Sequence, residues 1–168
     1  MHFFGTSNQT AGRPSNRVVP VARECGVDGV ATEVALRIDY LDALLVHRQA
    51  SAILLMGSSE RHYTASKLYP ALLARRPILA VYHRESSVTE ILQRATRPPS
   101  VRLVTYDDSE GASERVEAIY TELSTLLETP VYDPGTVDLT VLDDFSGKAL
   151  AGRLASIFDK VTANGTAT

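Results

Sequence analysis

ILLMGSSERHYTASKLYPALLARRPILAV, residues Ile53 to Val81, reads as strand, polar loop, helix, tight turn and strand. Ile53, Leu54, Leu55 and Met56 form a continuous apolar run, the pattern of a strand buried on both faces, and Gly57-Ser58-Ser59 ends it. After the turn Arg75-Arg76-Pro77 a second such strand runs from Ile78 to Tyr82. Between the two, Thr64 or Ser66 can cap a helix that begins near Lys67. Backbone N–H groups, two hydroxyls and an ammonium then converge on one point, which suits a phosphate.

Working outward, the same alternation recurs. Apolar runs at His2 to Phe4, Gly29 to Val34, Ala52 to Met56, Ile78 to Tyr82 and Val101 to Tyr106 are separated by helical patterns. The helices are expected at Asn16 to Glu24, Asp39 to Gln49, Lys67 to Ala74, Ser87 to Arg94 and Ala112 to Leu127. Ser15 or Asn16 is the expected cap of the first, and Ser87, with Glu90 three residues on, that of the fourth. Leu41, Leu44 and Leu45 form the apolar stripe expected on the second. Strands alternating with helices imply an α/β fold: a doubly wound, mostly parallel five-stranded Rossmann-like sheet, with strand order 3-2-1-4-5. This domain is expected over residues 1–128, with a linker over 129–146 marked by Thr129-Pro130 and Asp133-Pro134-Gly135. A C-terminal helix over 147–163 carries Leu150, Leu154, Ile157 and Phe158 on one face, and 164–168 is a frayed tail. That stripe is expected to fold back onto the sheet or to drive self-association.

Composition narrows the function classes. Of the 168 residues, 44% are hydrophobic and 22% charged, as in a globular protein with a sizeable core. No apolar run is long enough for a transmembrane segment, and Met1 leads into His2-Phe3-Phe4 without a signal-peptide pattern. The lone Cys25 fits a reducing, cytoplasmic compartment. Residues 1–105 hold 13 Lys and Arg against 8 Asp and Glu, a balance of +5, whereas residues 106–168 hold 4 against 12, a balance of −8. A cationic first part suits a small anionic ligand, and the acidic end argues against nucleic acid as a partner. The Gly5 to Asn16 loop lacks a dinucleotide fingerprint, and nothing matches a P-loop.

Ser66-Lys67-Leu68-Tyr69-Pro70 followed by Leu73-Ala74-Arg75-Arg76-Pro77-Ile78-Leu79-Ala80 resembles the C-terminal, donor-binding domain of GT-B-fold glycosyltransferases. The likeness continues through His2 to Ser7, Cys25-Gly26-Val27, Val30 with Glu33, and Arg37 to Leu41, and spans residues 1–106. It implies transfer of a sugar from a nucleoside diphosphate sugar, with no cofactor and no required metal. Ser66 and Lys67 would hold the donor diphosphate, and Gly5 and Thr6 would let the first loop approach it. Arg37 and Ile38 stand where the nucleotide base is received. Glu60 and His62 face the sugar and, with Lys67, make up the expected catalytic group. Ser59, Tyr63, Thr64 and Glu85 complete the expected substrate contacts.

Two departures accompany the likeness. The glutamate pair that retaining members carry falls here on His62 and Pro70, so the carboxylate that would hold the ribose is not matched. The upstream basic pair is also unmatched, with Arg13, Arg17 or Arg61 as substitutes. The resemblance covers only the second of the two domains that form a GT-B cleft, so the isolated chain is expected to transfer no sugar unless an N-terminal domain on another chain completes the cleft. The alternative is a non-catalytic nucleotide-sugar-binding or interaction domain. His62 and His83 with Glu85 read as a polar rim rather than a metal site, and Asp107-Asp108 as a charge pair at a helix start.

Overall fold

The computed structural model describes residues 1–7, 14–58, 61 and 65–165. The protein is α/β, and its chain divides into two compact units, Met1–Val46 and His47–Thr168. In the first unit strands β1 (His2–Phe4) and β2 (Thr32–Val34) pair in parallel, with Phe3 opposite Glu33. Helix α1 (Val18–Glu24) and a 3-10 turn (Asp28–Val30) lie between them, and α2 (Tyr40–Gln49) follows.

The second unit is built on β3 (Ile53–Met56), β4 (Ile78–His83) and β5 (Val101–Tyr106), joined in the order β3-β4-β5 and parallel throughout. Its helices are α3 (Leu68–Leu73), α4 (Ser87–Ala95), α5 (Val116–Glu128) and α6 (Gly147–Gly165). All six residues of β4 are buried, so its alternating side chains feed two cores. Ile78, Ala80 and Tyr82 join Leu68 and Leu72 of α3 and Val88 and Leu92 of α4 on one face. Leu79 and Val81 join Val104, Tyr106 and Leu126 on the other, beneath α5. Two successive βα crossovers stepping in the same direction must cover the same face, and α5 closes the opposite one. Residues 129–146 carry a 3-10 segment, Leu139–Phe145, whose Leu139, Val141 and Leu142 extend the first core.

The single five-stranded sheet expected from the sequence is replaced by a two-stranded and a three-stranded sheet, and β3 pairs directly with β4 instead of standing at the far edge. A strand central to a parallel sheet needs apolar residues on both faces. His-Phe-Phe and Thr-Glu-Val do not supply them, and neither β1 nor β2 has a fully buried residue. Helix boundaries shift for similarly local reasons. The cap of α4 is Ser86, whose hydroxyl accepts from the Thr89 amide at 3.2 Å, so Ser87 already lies inside the helix. Ser66 caps nothing, since Lys67 occupies the N-cap position of α3 with no side-chain cap bond. On α2 the expected inward stripe is open, with Leu41 and Leu45 exposed and no residue of the helix buried.

Gly57, where β3 ends, is required by packing. A Cβ there would lie 2.5 Å from Cδ1 of Tyr82, whose ring is buried and cannot swing away. Gly57→Ala is therefore expected to destabilise the protein by about 1 to 3 kcal/mol, as overpacking of a filled core does. Urea denaturation followed by circular dichroism measures it, and an unchanged midpoint would contradict this packing.

Candidate functional site

The carboxyl ends of β3, β4 and β5 open on a pocket of about 370 Å³ lined by Gly57, His83, Tyr106, Asp107, Asp108 and Gly111. Parallel α/β sheets present ligand-binding loops at this edge. The register that sets Ile78 opposite Val101 also sets His83 opposite Tyr106, and so brings His83 to the segment that follows β5. The imidazole is almost wholly buried, and its ring meets Tyr106 edge-on at 5.8 Å. Its Nδ1 accepts from the Glu85 amide at 3.2 Å, which leaves the proton on Nε2 to be donated to Asp108 Oδ1, also at 3.2 Å. The other oxygen of Asp108 binds Arg61, whose guanidinium also lies 3.4 Å from Glu85.

The remaining walls are satisfied in the same way. The Tyr106 hydroxyl donates to the Ser58 carbonyl at 2.6 Å, and burial pushes it above the usual tyrosine range. The Ser109 hydroxyl, then the Glu110 and Ser109 amides, hold the Asp107 carboxyl down to about 2, against a smaller effect of desolvation and with help from Arg84 at 3.0 Å. Both nitrogens of His83 are engaged, so this ring orients Asp108 and is not a free general base. The pocket thus offers ionised carboxylate oxygens with cations behind them, acceptors suited to the hydroxyls of a sugar or ribose.

Residues expected at the site fall in separate places. Ser59, Glu60, His62, Tyr63 and Thr64 lie outside the described residues. Ser66 and Lys67 are exposed at the start of α3. Burial, with the Lys67 charge adding to it, pulls the His47 imidazole below its ordinary range, and among the described residues the buried His47 Nδ1 has no hydrogen-bond partner. Glu85 is joined to Arg61 through its carboxylate and to His83 through its amide.

Gly5, Thr6, Arg37 and Ile38 belong to the first unit. Gly5 has a φ of 66°, which a glycine adopts readily, and a Cβ there would meet only ordinary contacts at 3.8 Å from Arg37, so backbone conformation rather than a close approach calls for glycine. Thr6 is already bound, because its hydroxyl donates to Glu33. The same carboxylate accepts from the amides of Arg17 at 2.7 Å, Val18 at 3.1 Å and Val19 at 2.9 Å. Glu33 thus caps α1 from the neighbouring strand, in place of Ser15 or Asn16, and fills the position an anion would take.

Sequence reasoning missed the joining of His83 to Asp108 and Arg61. The signal was present, since His83 and Asp107-Asp108 end two successive apolar runs of equal kind. Reading it required the strand register. Among the described residues no three His, Cys, Asp or Glu side chains gather as metal ligands would, and no helix is long and apolar enough to cross a membrane. Comparison with protein-family models, with curated proteins and with solved structures finds no match for this chain.

Glu33 makes the first unit sensitive to acid. Partial desolvation raises its pKa, but the Thr6 hydroxyl and the Val19, Arg17 and Val18 amides outweigh it and lower the value from 4.5 to about 2. A depressed carboxyl stabilises fully above its unfolded pKa and loses that contribution as the pH falls through the folded value. Protection of the Val18 and Val19 amides from hydrogen exchange should therefore decline between pH 4.5 and about 2. Glu33→Gln should remove that pH dependence, and an unchanged profile in this variant would contradict the assignment.

Proposed function

We propose that this chain is the donor-binding half of a GT-B-type glycosyltransferase, taking a nucleoside diphosphate sugar at the carboxyl edge of β3, β4 and β5. The observation that carries this reading is where the family-like stretch falls. Ser66-Lys67-Leu68 through Pro77-Ile78-Leu79-Ala80 occupies the β3–α3–β4 crossover, whose loop leaves β3 beside the His83–Asp108–Arg61 cluster. The Rossmann-like reading applies to the second unit, with helices on both faces of its parallel sheet. On this reading Asp108, rather than the unmatched glutamate, accepts from ribose or sugar hydroxyls. Arg61 supports the diphosphate in place of the missing basic pair, and Lys67 and Ser66 meet it from the start of α3. Transfer to an acceptor further requires an N-terminal-type domain to complete the cleft.

A second reading, binding without catalysis, is favoured by one observation. His83 and Arg61 are both engaged by other side chains or backbone, so among the described residues the pocket holds no unengaged base. Both readings require the ligand and differ in turnover.

Calorimetry with UDP, GDP and ADP tests the shared claim. At least one is expected to bind, and Lys67→Ala should weaken it by about 1 to 3 kcal/mol, the scale of a charge-assisted hydrogen bond. Equal affinity of both proteins would remove Lys67 from the site. As an internal control, the same variant should raise the His47 pKa, because a neighbouring cation is lost.

A further inference from the structure

Among the described residues, helix α6 is anchored at its start. The Ser146 hydroxyl accepts from the Ala149 amide at 3.2 Å, and Phe145, just before the helix, packs on Tyr69 with ring centroids 5.3 Å apart. Beyond that, Leu150, Leu154, Ile157, Phe158 and Val161 are each 51 to 64% exposed. Of the two outcomes expected for this stripe, folding back onto the sheet is not the one observed.

The spacing of these residues says what kind of surface fits them. Leu150, Leu154, Ile157 and Val161 recur at steps of four, three and four, the d-a-d-a seam of a heptad pattern, which receives the knobs of another helix crossing at a shallow angle. Charge decides the orientation. Arg153 and Lys160 both flank the seam on the g side, whereas the e side carries Ala151 and Phe158. Two copies laid antiparallel would set g against g and bring Arg153 toward the Lys160 of the other copy. Laid parallel, g meets e, no like charges face each other, and the Arg153 guanidinium lies over the Phe158 ring of the second copy, a favourable cation–π pairing.

The area is also sufficient. The five side chains expose on the order of 500 Å² per copy, the size of the largest apolar patch a monomer ordinarily leaves open. Two copies together would bury at most about 1,000 Å², the threshold that sets a biological interface apart from a casual contact. We infer that α6 is a homodimerisation helix, pairing in parallel and in register with α6 of a second copy of this chain, independently of any ligand.

Sedimentation velocity on the full chain tests this. The weight-average mass should rise toward twice the monomer value across a concentration range of about 10 to 100 μM, as befits a small interface. Leu154→Glu combined with Ile157→Lys should stay monomeric, with an unchanged urea midpoint because both positions are exposed. A parallel, in-register seam also places each Leu150 beside its counterpart. Leu150→Cys in a Cys25→Ser background should therefore form a disulfide-linked dimer on mild oxidation, which an antiparallel pair, with Leu150 opposite Val161, would not allow. A chain that remains monomeric at these concentrations, a dimer that survives the double variant, or a dimer that Leu150→Cys fails to cross-link would each overturn the proposal.

Discussion

The complete burial of β4 is the constraint on which the second unit depends. A strand with apolar or satisfied side chains at every position must be covered on both faces, so α3 and α4 take one face and α5 the other. The same burial fixes the register, because a slip of one residue would exchange the two cores. Register then becomes chemistry. His83 is the last residue of β4 and is buried like the rest, and it reaches Asp108 only because β4 and β5 are aligned from Ile78 opposite Val101 onward. The pocket at the carboxyl edge is in this sense a product of the core beneath it.

The first unit solves a different problem. Strands β1 and β2 are short and poorly covered, so the unit relies on polar organisation to a degree the second does not. Glu33 supplies it, joining Thr6 in the first loop to three backbone amides at the start of α1 with one carboxylate. An internal anion at a helix N-terminus satisfies donors that would otherwise be open, and competes for the place where an external phosphate could bind. The donor site proposed above is accordingly built from residues of the second unit alone.

Much of the α/β pattern could be read from the sequence, and the failures have physical causes. The apolar runs at Ile53, Ile78 and Val101 mark strands because a doubly covered strand tolerates few polar residues. The helical period of α5 marks Val116, Ile119, Leu123 and Leu126 as one face; the last three pack into the second core, whereas Val116, at the first turn, stands exposed. Strand order was not legible, since β3 carries the same apolar signal wherever it pairs. The Glu33 cap was hidden because its carboxylate and the amides it serves lie 14 to 16 residues apart, far beyond any local capping pattern. Periodicity also cannot say what covers a stripe, which is why Leu41 and Leu45 of α2 read as inward and stand exposed. His83 and Asp108 become a site only through long-range pairing, and His62 and Glu60, drawn from the loop itself, lie outside the described residues.

Nucleoside diphosphate binding at the carboxyl edge of β3, β4 and β5 is the proposal to which the fold and the site both lead. Its most direct test is a two-dimensional amide NMR titration of the full chain with UDP, GDP and ADP in turn. At least one of them is expected to shift the amides of Gly57, Glu85 and Asp108 together with that of Ser66, saturably and with a common dissociation constant. Absence of saturable shifts with all three, or saturable shifts that leave these four amides unmoved, would contradict it.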